Sequence, residues 1–180
     1  MMVPSSRHLP RLSGWAVAGM VAGTVAADWL VARIVVPFGP GPDPVLAGAL
    51  ALMACGLRGP AGWMALVGGA LADLPGGVLL GLGGVTRQLA CLVAERTWLW
   101  LQDDSYPSLV LVAFGAALAE GLLAQVGGWI FGVPWGSTTA RVVLSLQGAL
   151  LTTALFALLY PPAAWLAWLR PAGRAGLSRS

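Results

Sequence analysis

Residues Arg58–Gly81 read RGPAGWMALVGGALADLPGGVLLG. The stretch is apolar enough to lie in a bilayer, yet it is broken in the middle. Small residues return at every fourth position, Ala61, Ala65 and Gly69, a spacing that puts them on one face of a helix. That face ends in a carboxylate, Asp73, and Pro75-Gly76-Gly77 follow at once. Proline and paired glycines stop a helix and turn the chain. A helix that only anchors a protein needs none of these features. The pattern predicts closely packed membrane helices, a tight reversal and one charge retained at a cost.

Composition sets the class. The chain has 180 residues, of which 58% are hydrophobic and 9% charged, with a mean hydropathy of +0.81. Soluble domains carry about 25% charged residues, so a water-covered surface cannot be built here. The expectation is one all-α, polytopic integral membrane domain without a soluble part.

Six apolar segments are long enough, or nearly so, to be spans: about 14–36, 44–57, 60–74, 78–94, 107–132 and 142–160. The proline-rich run at 37–44 separates the first two, and Pro161-Pro162 are expected to stop the last. Residues 165–169 then read as an interfacial tail. The domain covers 14–169, between an N-terminal tail at 1–13 and a basic tail at 170–180. The first apolar run is long and contains Asp28 and Arg33, so it reads as a retained span rather than a cleaved signal.

Charge selects six crossings over five. All ten basic side chains are arginine. Arg7, Arg11, Arg58, Arg96, Arg170, Arg174 and Arg179 fall on one side, and Arg33 and Arg141 on the other. The positive-inside rule then places both termini in the cytoplasm. Tryptophans fit the same scheme. Trp15, Trp63, Trp98, Trp100, Trp165 and Trp168 fall near inner ends, and Trp29, Trp129 and Trp135 near outer ends, as aromatic belts require.

Two features could carry function. On the first helix, Gly19, Gly23 and Ala27 form one small-residue ridge and Ala18, Ala22 and Ala26 another. Such ridges let backbones approach, either within the bundle or against another membrane protein. The second feature is a set of polar groups inside apolar runs: Asp28, Asp73, Arg87, Glu120, Gln125 and Gln147. A charge near the bilayer centre costs about 2.5–3.5 kcal/mol on insertion scales. These side chains are therefore expected to face inward and pair, with Arg87 and Glu120 as the leading pair. Asp73, nearer the outer turn, is expected to cap amides of the reversal or to share Arg87.

The motifs of enzymes do not occur. There is no G-x-S-x-G, no H-E-x-x-H and no Walker-type loop. Cys55 and Cys91 lie inside apolar runs and His8 in the polar tail, which gives no metal-ligand set. The arginines form no stripe of the kind that binds nucleic acid. The expectation is a non-enzymatic protein with no cofactor and no metal.

The order of features from Pro42 to Gly81 resembles the bacterial rod shape-determining protein MreD family. Pro42-Asp43 opens the second span. Leu57-Arg58-Gly59-Pro60 closes it, and a small-residue helix follows, ending in Gly69-x-x-x-Asp73. Gly76-Gly77 and Gly81 come next. Ala61 and Ala65 stand where the family often has glycine, and Arg87 interrupts a run that is elsewhere wholly apolar.

The resemblance implies a multi-pass protein of the bacterial inner (cytoplasmic) membrane. It would belong to the cell-elongation machinery that supports lateral peptidoglycan synthesis and rod shape. The implied partners are an MreC-like single-span protein, an MreB-like filament, a RodA-like glycosyltransferase and its transpeptidase. The implied fold is similar to the substrate-binding subunits of energy-coupling-factor vitamin transporters, which dock a partner through Ala-x-x-x-Ala on the first helix. Ala18, Ala22 and Ala26 match that spacing. A vitamin-binding transporter subunit is the alternative expectation.

Overall fold

The computed structural model describes residues 14–34, 41–74, 81–101, 105–132 and 138–169. Among these residues there are six helices and no sheet. They are α1 (Gly14–Ile34), α2 (Pro44–Ala54), α3 (58–72), α4 (Leu82–Leu101), α5 (Tyr106–Ile130) and α6 (Thr138–Leu169). Three helices are long and apolar enough to cross a membrane, through Trp15–Ile34, Tyr106–Ile130 and Thr139–Trp165. The tails at 1–13 and 170–180, the turn glycines Gly76 and Gly77, and Trp135 lie outside the described residues.

The shortest of the long elements sits at the centre. Helix α2 packs against each of the other five, which form an arc around it. Val45, Leu46, Ala47, Ala49 and Leu50 are all buried. A helix that is apolar on every side is a core helix, and the run Pro44–Ala54 contains no polar side chain at all.

Both ends of α2 are fixed by the local sequence. Asp43 adopts an extended backbone conformation, and its Oδ1 accepts from the amide of Leu46 at 2.8 Å. Pro44 follows at the first helical position, where the missing N–H costs nothing. At the other end Gly56 takes φ +81°. Its amide donates to the carbonyl of Met53 at 2.8 Å, and the Leu57 amide reaches Leu52 at 2.9 Å. This is the two-bond glycine cap that closes a helix in the left-handed conformation.

Helix α3 carries the small-residue face described above. Ala61, Met64, Ala65, Gly68 and Gly69 are buried, spaced as one helical stripe. A wide π-type turn over Met64–Gly68 leads directly into Gly69. There α3 and α4 come into backbone contact. A Cβ on Gly69 would lie 2.7 Å from Cα of Gly84, and one on Gly84 would lie 2.5 Å from the carbonyl oxygen of Leu66. Both positions exclude any side chain, which is the use small residues have at membrane helix crossings.

Two helices extend beyond their expected ends. Helix α4 continues to Leu101 rather than stopping near residue 94. Its last turns are fastened by an ion pair of Arg58 with Glu95 at 2.9 Å. Helix α6 runs through Pro161 and Pro162 to Leu169 instead of ending at Tyr160. A proline inside a helix orphans the carbonyl four residues earlier, here that of Ala157. The hydroxyl of Tyr106, at the start of α5, donates to that carbonyl at 3.0 Å. The ring of Tyr106 also stacks on Tyr160, centroids 6.0 Å apart.

A Tyr106→Phe exchange keeps the stacking and removes the donor. It is expected to cost about 1 kcal/mol, the net worth of one hydrogen bond. Hydrogen exchange should become faster in α6 on either side of the proline pair and remain unchanged in α2.

Tryptophans collect toward helix ends. Trp15, Trp29, Trp63, Trp100, Trp129 and Trp165 are exposed. Trp98 differs, because it packs against the core.

Candidate functional site: a buried ion-pair network

The end of α3 and the starts of α2 and α4 meet beside the middle of α6, where Thr152 accepts from the Asp43 amide. The chain's intramembrane charges gather there. Arg87 is on the second turn of α4, Asp43 caps α2, and Asp73 ends α3. Asp28, half-buried, is on the side of α1 that turns Val21 and Val25 inward.

Arg87 is the hub. Its Nε donates to Asp43 Oδ2 at 2.5 Å, and its Nη1 donates to the carbonyl oxygen of Gly69 at 3.3 Å. The same Nη1 lies 3.7 Å from Asp73 Oδ1. The Arg87 side chain is 11% exposed and that of Asp43 15%, so little solvent or lipid competes for them. Asp43 has its second oxygen on the Leu46 amide, and its own amide donates to Thr152 Oγ1 of α6 at 2.9 Å. A single aspartate therefore links α2, α4 and α6.

Asp73 serves the other side of the broken segment. Its Oδ2 accepts from the amides of Gly81 at 3.1 Å and Gly83 at 2.8 Å. Those are the free amides of the first turn of α4, where a negative group is favoured by unpaired N–H donors and by the helix dipole. Asp73 thus caps α4 from α3 while also facing Arg87.

The expected pairing of Arg87 with Glu120 is replaced. Arg87 pairs with Asp43 and Asp73, and Glu120 Oε1 accepts from Thr86 Oγ1 at 3.2 Å. The reason is rotational. Thr86 and Arg87 are successive residues, so they point about 100° apart on the helix. Thr86 meets Glu120 of α5, whereas Arg87 meets Asp43 at the start of α2 and Gly69 of α3. Equal depth in the membrane did not mean a shared azimuth.

The remaining polar groups divide. Gln125 of α5 bridges to α6, donating to Ser145 Oγ at 2.5 Å and to the Arg141 carbonyl at 3.0 Å. Gln147, expected to face inward, is exposed on the outer side of α6.

The α1 ridges also have a definite orientation. Helix α1 turns Val21 and Val25 into the bundle. Ala18, Gly19, Ala22, Gly23 and Ala26 are all exposed. A Cβ placed on Gly19 or Gly23 would meet nothing within 4 Å. Close packing inside the bundle is therefore not what these small residues do.

Comparisons of the chain with protein-family models, curated proteins and solved structures return no match.

Proposed function

We propose that this is a non-enzymatic membrane scaffold that docks a single-span partner helix along α1, and that it acts in the bacterial cell-elongation machinery. The observation that supports docking is the α1 surface just described. Five small residues, Ala18, Gly19, Ala22, Gly23 and Ala26, stand on the face of α1 turned away from the bundle. In lipid, apolar side chains alone give helices little reason to associate, and small-residue faces supply it by close packing. The buried charges fit a scaffold as well, because Arg87 and Asp73 bond to neighbouring segments of the same chain.

The particular setting rests on the Pro42–Gly81 resemblance. On that reading the chain is an MreD-like protein of the inner membrane, crossing six times with both termini in the cytoplasm. It binds an MreC-like single-span protein and, with it, the MreB-like filament, the RodA-like glycosyltransferase and the transpeptidase.

The test is co-purification of the full-length protein with an MreC-like partner, expressed together and extracted in mild detergent. Ala22→Leu with Gly23→Leu fills the ridge without touching the bundle. The pair is expected to lower partner recovery about tenfold while leaving thermal stability unchanged, since ridge contacts are worth on the order of 1–2 kcal/mol. Undiminished recovery would remove α1 as the docking helix. Absence of any complex with the unaltered chain would remove the elongation-machinery reading.

A further inference from the structure

Gln147 is a physical anomaly. It lies on α6, within the apolar stretch Thr139–Trp165, about 12 Å along the helix from the start of that stretch at 1.5 Å per residue. A hydrocarbon layer of about 30 Å therefore encloses it. The residue is exposed, and no described residue accepts from or donates to its amide. Gln125 and Arg87, by contrast, are bonded to Ser145 and Asp43, and Gln88, whose Oε1 lacks a partner, is turned into the bundle rather than out of it. A primary amide facing hydrocarbon without a partner is costly, and polar side chains in such positions hold helices together.

The surroundings of Gln147 give the partner's shape. Leu144, Leu151 and Leu158 are exposed, Leu158 by 73%, and Ala154 is exposed as well. With Gln147 they follow alternating steps of three and four residues along the face opposite the buried Ala149 and Phe156. That spacing is the seam of a left-handed helix pair, and one polar residue within such a seam fixes register.

We propose that α6 pairs with α6 of a second copy of this chain, with Gln147 of each bonded to Gln147 of the other. Two properties select a second copy over a different protein. A glutamine amide has both a donor and an acceptor, so it complements itself. Two copies inserted the same way are related by a two-fold axis along the membrane normal, which makes a contact isologous and sets both glutamines at one depth. No second polar group is needed. This face is on α6, distinct from the α1 ridge, and the proposal stands whether or not the docking reading holds.

The test is disulfide trapping in native membranes, using the full chain with Cys55→Ala and Cys91→Ala. Leu144→Cys, Leu151→Cys and Ala154→Cys are expected to give covalent dimers on mild oxidation. Leu146→Cys on the flank of α6 and Leu111→Cys on α5 are expected to give none. Native mass spectrometry of the full chain from lipid nanodiscs supplies the second measurement. Gln147→Leu is expected to raise the dimer dissociation constant about tenfold, and Gln147→Asn to leave it within about threefold. Dimers of undiminished strength in Gln147→Leu would overturn the role of the amide. Trapping at Leu146 and Leu111 as readily as at the seam, or only to other membrane proteins, would overturn the proposal as a whole.

Discussion

Replacing Arg87 with leucine is expected to destabilise the bundle by about 3–5 kcal/mol, the cost of leaving one side of a buried ion pair without its counter-charge. The loss would be large because the guanidinium has no substitute. Asp43 and Asp73 both face it, and the Gly69 carbonyl accepts a hydrogen bond from it. Once it is gone, two carboxylates remain close together in apolar surroundings. The measurement is thermal unfolding of the full-length protein in detergent. The Asp43→Asn exchange provides the internal check, because it retains the capping oxygen for Leu46 and removes the charge. In the Arg87→Leu background Asp43→Asn should restore part of the stability, with a coupling of about 1–3 kcal/mol between two residues in contact. Strict additivity would mean that the pair does not act as a unit. A comparable change at Glu120, such as Glu120→Gln, should cost much less, since Glu120 accepts from the Thr86 hydroxyl and glutamine keeps an accepting oxygen there.

Gly84→Val is expected to have an effect of similar size through a different cause. Any Cβ at this position meets the Leu66 carbonyl oxygen at 2.5 Å and the Ala70 amide at 3.0 Å. Both are backbone atoms of α3, so no rotamer can move away. The helices must separate, which opens the crossing at Gly69 and lengthens the reach from Asp73 to the amides of α4. The expected cost is about 3 kcal/mol, at the upper end of what overpacking brings. Gly19→Val, on the open face of α1, is the control and should leave the unfolding midpoint where it is. Equal tolerance at Gly84 and Gly19 would disprove the backbone contact between α3 and α4.

Much of the architecture was readable from residue order alone. Apolar runs and their interruptions by Pro37–Pro44, Arg58-Gly59-Pro60 and Pro75-Gly76-Gly77 point to six helices, because helix breaking is a local property of the backbone. What local reading missed is where each face points. In a soluble helix the polar side announces itself. Here the lipid is as apolar as the core, so α1 turns Val21 and Val25 inward and Ala22 and Ala26 outward, and no polar face marks which side is which. The same blindness led to Glu120 as the partner of Arg87. Asp43 was read only as the start of a helix, though its second oxygen was free for an ion pair 44 residues away in sequence. The proline pair in α6 was misread for the converse reason. Its effect on the backbone is local, but the compensating donor, Tyr106, comes from another helix.

The central position of α2 has a consequence for how the protein enters its membrane. Eleven residues make a rod of about 16 Å, roughly half of the hydrocarbon thickness. Alone, α2 could not bridge the layer without drawing its polar ends into oil. It can be accommodated only when neighbours surround it, and two of those, α5 and α6, are synthesised last. Its burial therefore belongs to the final stage of assembly. A ribosome that stalled before α5 would leave behind the element around which everything else is arranged, still without its place.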